Sequence, residues 1–332
     1  MSELIDPSKP AGAVVEELPD GTFRTNDGRI LQPAAKNPWY VLMTIYGEQT
    51  ETYPAIPDYE LHSKNQRIWN GWMCQGMPAD ERAKLAKLVQ LPPDDLAELT
   101  EKESGALRAA FEERLPLTEL PHCRDVANLS ETHFPNMFTF EKCIFRENAN
   151  FRSSSFSGPV NFRVAIFNEI VSFLNSTFIQ STEFSSAKFK GDARFQSSTF
   201  SGPAHFDGAT FSGPTFFNFT TFSRYAFFKS ATFIGKVDFS DGAFKSATLF
   251  NDVKFETDVP KFFQREMHQN TTFTTNTANW PKVTAKNAEE GKQAYTRLRQ
   301  VMSDLHKPDD EHFFSGMKCV ARPCWTLGRT IG

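Results

Sequence analysis

The chain has 332 residues, 39% of them hydrophobic and 23% charged, with a formal net charge of −4 from 36 basic and 40 acidic residues. That length holds one elongated domain with attachments, or two compact ones, and so even a charge balance excludes a global field for nucleic acid or an anionic membrane surface. Aromatic residues make up 14% of the chain and 34 residues are Phe, a bias that points to one structural slot filled again and again.

The five cysteines, Cys74, Cys123, Cys143, Cys319 and Cys324, form an odd set without CxxC spacing, and the start MSELIDPSKP lacks a charged-then-apolar signal pattern. Both observations favour a reducing, cytoplasmic setting. The longest apolar runs, such as residues 40–46, fall far short of the roughly 18 residues a membrane helix needs. Residues 1–37 are rich in Pro, Gly and Asp, with Asp20-Gly21 and Asp27-Gly28 as turn signals around Thr22–Arg24. They read as a flexible tail ending in a small hairpin.

Residues 38–117 switch to helical periodicity. Leu61, Ile68, Trp69, Trp72 and Met73 share one face of a helix near 58–75, and Leu85, Leu88 and Val89 share another after Pro78-Ala79-Asp80-Glu81. A third helix is expected near 94–115, opening with the acidic turn Pro92-Pro93-Asp94-Asp95 and carrying Leu96, Leu99, Leu107, Ala110 and Phe111 as its stripe. This segment is expected to cap the repeat array that starts at Leu129, an independent binding module being the alternative.

From Leu129 to Phe255 a large apolar residue recurs at gaps alternating between five and six residues, and 23 of the 34 Phe sit at that one position. The series opens with Leu129, Phe134, Phe140, Phe145, Phe151, Phe156, Phe162, Phe167, Phe173, Phe178, Phe184, Phe189 and Phe195. It continues through Phe200, Phe206, Phe211, Phe217, Phe222, Phe228, Phe233, Phe239, Phe244, Phe250 and Phe255. Two residues before each Phe from Phe145 on stands a small or β-branched residue, for example Ala149, Val160, Ser176 and Ala193. Residues two apart in an extended segment lie on one side of it, so the large and small residues both point into a narrow interior while the Ser, Thr, Gly, Lys, Asp and Arg between them face water.

On these residues the chain resembles the pentapeptide-repeat family in its Phe-centred form. Ala127-Asn128-Leu129 matches the usual unit, and FDGATFSGPTFF at 206–217 its Phe-rich version. The resemblance implies a mainly β fold over residues 118–282, a right-handed quadrilateral β-solenoid with α-helical N-terminal and C-terminal capping segments. The extra residue in every second unit makes an 11-residue double repeat. Long units stack on long ones only if the coil has an even number of sides, and two sides cannot enclose Phe rings. Four sides and 22 residues per coil result, giving nearly six coils and a shaft of about 28 Å at the usual strand spacing. Buried Phe at about 1.5–3 kcal/mol each stabilises the shaft by tens of kcal/mol against chain entropy. Pro159, Pro203 and Pro214 all fall in long units, which places the extra residue at a corner, where no ladder N–H is needed.

Phe262, Met267 and Phe273 are expected to add an irregular last coil before Trp280-Pro281. Residues 283–332 return to helical spacing, with Asn287 and Glu290 as a capping box and Ala294, Tyr295, Leu298, Val301, Met302 and Leu305 on one face. A second helix after Pro308 carries Phe313, Phe314, Met317 and Val320. A helical segment, a Phe-rich array and then a YxxLR helix is an order similar to that of bacterial pentapeptide-repeat proteins that continue into membrane spans.

No catalytic constellation emerges. The seven His are scattered, and Asp309, Asp310, Glu311 and His312 read as an acidic helix start rather than a metal site. Cys319 and Cys324 read as free thiols, and no cofactor is expected. Mimicry of DNA, known in the family, needs a strongly acidic surface, whereas residues 134–255 hold 9 Asp/Glu against 12 Lys/Arg. Nucleic acid is not an expected partner either. The column Thr177, Thr199 and Thr221, ending at Ala243, is read as exposed strand residues rather than an ice-binding face. Phe216 and Phe227 point outward on opposite sides and are the candidate partner contacts, for another protein or a second copy. The expected function is a non-enzymatic rigid scaffold for protein–protein interaction. The alternative is the cytoplasmic regulatory portion of a membrane-anchored bacterial protein whose spanning segment lies outside this chain, and only then would a membrane be a partner.

Overall fold

The computed structural model describes residues 6–49, 58–281 and 288–319. Asn287, Val320 and Cys324 lie outside them. The Phe array forms a four-sided β-solenoid whose strands, mostly two residues long, stack in parallel on four faces. In chain order the faces begin with Ala127–Asn128, Thr132–Phe134, Phe138–Thr139 and Ile144–Phe145, and Ala149–Asn150 then returns to the first face. Each strand pairs with the one 22 residues on, as Val160 does with Thr182 and Phe178 with Phe200.

Every member of the Phe series is buried, from Phe145 to Phe239 as at either end. Within a face the rings stack almost parallel, Phe178 on Phe200 at 4.6 Å and 4° and Phe217 on Phe239 at 5.0 Å and 2°. Across the shaft they meet edge to face, as Phe195 and Phe206 do at 5.6 Å and 87°. Both geometries suit the aromatic quadrupole, so the interior is held in place as well as dry. The two corner types differ. Short corners leave the first and third faces through a left-handed residue, among them Ser153, Val164 and Asn175 with φ of 58–59°. Long corners leave the second and fourth faces and contain the extra residue, where a Cβ on Gly213 would stand 2.5 Å from the Gly191 carbonyl oxygen of the coil below. Only glycine lets coils stack that closely there.

A polar ladder runs inside the second face. The hydroxyls of Ser154, Ser176, Ser198 and Thr220 donate to the carbonyls of Leu129, Phe151, Phe173 and Phe195 at 2.6–2.8 Å. The next rung is Gly242, whose positive φ and crowded Cβ site forbid a side chain. Arg265, one coil further on, fills that gap. It donates to the Phe217 carbonyl that the missing hydroxyl would have reached, and to Asp241 O at 2.7 Å, while its guanidinium lies 4.1 Å from the Phe244 ring centre. Burial pushes its pKa down to about 9.

The last coil is more regular than expected. Phe262 stacks on Phe239 at 5.0 Å and Phe273 on Phe250 at 5.0 Å, and Trp280 packs at a tilt of 39° on Phe255 at 5.1 Å. One inserted residue shifts the pairing to 23, as in Leu249 opposite Thr272, and a seventh strand is added to the second and third faces.

Both ends are closed. α1 (Pro38–Met43) and α2 (Tyr59–Met73) seal the first coil, with Tyr40 against Phe134 at 5.6 Å and Trp69 against Phe140 at 4.8 Å. The bare strand edge of the fourth face is satisfied by α2: Ile144 N donates to Asn70 Oδ1 at 3.0 Å, and Trp69 Nε1 donates to Ile144 O at 2.9 Å. α5 (Ala288–Asp304) and α6 (Pro308–Cys319) close the far end through Tyr295 and Phe314, both of which pack on Trp280.

Three expectations change. Residues 6–33 are not a flexible tail: β1 (Val14–Glu17), β2 (Phe23–Thr25) and β3 (Ile30–Pro33) form an antiparallel meander, and β3 pairs in parallel with Thr132–Phe134. The open edge of the second face supplies a partner that a local reading of turns does not see. The helix expected near 94–115 is two elements. Pro93–Leu96 is a single 3-10 turn, and α4 (Glu101–Arg114) starts at a capping box of Thr100 and Glu103. Leu88 is 37% exposed, so the apolar side of α3 (Ala79–Val89) is Leu85, Ala86 and Val89.

Candidate interaction surfaces

The faces are not equivalent. The outward column of the fourth face reads Ile144, Ile166, Lys188, Thr210, Thr232 and Lys254 from coil to coil. Ile144 and Ile166 are both 0% exposed, packed under α3 with Cys74, Met77, Leu85 and Val89. Lys188 marks the edge of this cover, its Nζ donating to the carbonyl of Leu88. On the opposite, second face the meander covers His133, Ser155 and Thr177, and Arg29 Nη1 donates to Asn175 O at 2.8 Å. Thr199 and Thr221 above them are only partly buried. Positions expected to face water are thus clamped on two opposite sides.

The first and third faces remain open beyond the first coil. Phe216 lies on the first and Phe227 on the third, both half-buried, so the structure does not bring the two candidate contacts together. Around Phe227 the third face carries an aromatic stack. Its ring lies 4.7 Å from His205 and 5.8 Å from Tyr225, which is 51% exposed, and Leu249 comes next in register. His205 sits between Asp207 and Glu183, at 3.7 and 3.6 Å, and the close contact with Asp207, with the field of both carboxylates, raises its pKa.

On the first face Phe216 closes one end of a groove of about 450 Å³ lined by Asn150, Arg152, Ser172, Leu174, Arg194 and Gln196. Register builds it: Asn150, Ser172, Arg194 and Phe216 stack in one outward column. Arg152, Leu174 and Gln196 stand beside it, each two positions further along its coil. The small Ser172 leaves a dip between two arginines. Sequence reasoning singled out Phe216 and missed the rest, which writing the chain in rows of one coil would have aligned. Asp309, Asp310 and Glu311 fall in the first turn of α6. Among the described residues no helix is long and apolar enough to cross a membrane.

The family described as pentapeptide repeats (9 copies) matches residues 140–187, 165–210 and 175–221, all within the shaft. The shaft is built of pentapeptide repeats. Its matched repeats contain the whole groove of the first face, including Phe216. No curated protein and no solved structure matches the chain.

Proposed function

We propose that this protein is a non-enzymatic rigid scaffold that holds a protein partner on its open faces, in a reducing, cytoplasmic setting. One observation carries the reading. On a shaft whose inward Phe series is buried throughout, two opposite faces are covered over their first coils by the protein's own N-terminal elements, while the other two carry outward aromatic residues, Phe216 on one and Phe227 with the exposed Tyr225 on the other. Tyr and Phe that project from a rigid surface give binding area at small entropic cost. The buried free thiols of Cys74, Cys123 and Cys143 support the reducing setting.

The test is affinity capture from the source cell with the full chain and with Tyr225→Ser/Phe227→Ser as bait, at equal melting temperature. Loss of one defined protein from the variant supports the scaffold. A bait that retains nothing above background, in either form, sinks it.

A further inference from the structure

We propose that the groove on the first face binds an extended, acidic segment of a protein partner, a proposal that rests on the scaffold reading and names the partner's chemistry. Charge is the first argument. Arg152 and Arg194 flank the dip at Ser172, and none of the groove-lining residues is acidic. Among the described residues Arg152 has no carboxylate partner, and Arg194 is paired only to Asp192, on the corner of its own coil, at 2.8 Å. Two guanidiniums so placed form bidentate sites for two carboxylates on one side of an extended chain, four residues apart.

Length and walls are the second argument. Arg152 and Arg194 lie two coils apart, about 10 Å along the shaft at the usual strand spacing, and Arg152 stands two positions beside the column that holds Arg194, a diagonal within the span of four extended residues. Leu174 between them gives apolar contact for the side chain midway between the two carboxylates, on the same side of the segment, and Phe216 beyond gives it for a residue past the second. Gln196 Oε1 is shielded from solvent and accepts no hydrogen bond. Turned outward, that amide meets a main-chain N–H, which a peptide has and a polyphosphate lacks.

The borders of the groove decide against nucleic acid. The same outward columns carry Asp238 in the coil beyond Phe216, and the corner beside it carries Asp241. A short acidic motif ends before them, whereas a phosphate backbone continuing along the shaft would run over both. The face is also free of the protein's own cover, since the meander reaches only the corner at Asn175.

The experiment is fluorescence anisotropy with the full chain and a short, labelled, end-blocked peptide in which a leucine stands midway between two glutamates four residues apart, the other residues being serine. Binding should weaken with salt, and Arg152→Gln and Arg194→Gln should each raise Kd about tenfold, while Thr232→Gln on the fourth face leaves it unchanged. Equal melting temperatures establish that the variants fold, as expected for side chains this exposed. The same peptide with glutamine for glutamate should not bind. Three results would overturn the assignment: no binding of the acidic peptide, binding that ignores both arginine variants, or tighter binding of a single-stranded oligonucleotide. If the peptide fails while Tyr225→Ser/Phe227→Ser still releases a captured protein, the groove assignment falls alone and the scaffold stands.

Discussion

The second and fourth faces of the shaft and its first and third faces share one backbone, one Phe interior and one coil length, yet the first pair is clamped and the second is bare. What differs is the outward residue. Beneath α3 the fourth face carries Ile144 and Ile166, and beyond the helix it turns to Thr210 and Thr232. The open faces instead carry Arg152, Arg194, Phe216, Tyr225 and Phe227. A solenoid interior is uniform by necessity, so the outward columns are where the sequence records which coils are covered and by what.

The comparison breaks most sharply at Ile166. Aspartate there places an unpaired carboxylate beneath α3, and we expect a loss of about 3–5 kcal/mol, or release of α3 with a separate early unfolding step. The same change at Thr210 or Thr232, in the same column beyond the helix, should cost under about 0.5 kcal/mol. Chemical denaturation of the three variants checks both values. Equal losses at Ile166 and Thr232 would remove the distinction between covered and bare coils.

Two histidines sharpen it with opposite signs. His133, under the meander with Phe23 at 4.4 Å and Ser157 Oγ at 3.0 Å, has its pKa pushed down to about 4 by desolvation. The unfolded chain therefore binds a proton between about pH 6.5 and 4 that the folded one refuses, and stability falls with pH across that window by a few kcal/mol, on the order of 3. His205 on the open third face has a raised pKa, so its contribution is fully present below the unfolded value near 6.5 and is lost as pH rises through the folded value. Half-exposed and screened, it is worth only a few tenths of a kcal/mol. Denaturation midpoints against pH should lose most of their acid slope in His133→Gln, and His205→Gln should leave that slope intact.

The shaft was legible because each Phe answers to neighbours 22 residues away, and an error of register would have broken the whole series. Corners were legible too, through Pro159, Pro203 and Pro214. The clamps were not, since Asp20-Gly21 and Asp27-Gly28 announce turns without naming the strand edge that β3 joins. Ile144 and Ile166 did carry a signal, two apolar residues where water-facing ones were expected, one coil apart. Arg265 needed the structure outright, because its role depends on a hydroxyl that Gly242 lacks. On the candidate surfaces single residues were visible and their neighbours were not. Phe216 and Phe227 stood out as extra aromatics, but Arg152, Arg194, His205 and Tyr225 gain meaning only by stacking across coils.

The smallest expected effect tests the bare side of the comparison. Tyr225→Ser and Phe227→Ser remove outward rings that touch His205 and each other but no part of the interior, whose inward neighbours Ala226 and Phe228 are 0% exposed. If the third face awaits a partner, these rings add almost nothing to the isolated fold, and the double variant should lie within about 0.5 kcal/mol of the parent. A loss of about 2 kcal/mol or more, in the same denaturation assay, would mean that the aromatic stack is a structural strap across two coils. The third face would then belong with the clamped pair, and only the arginine groove of the first would be left as an open surface.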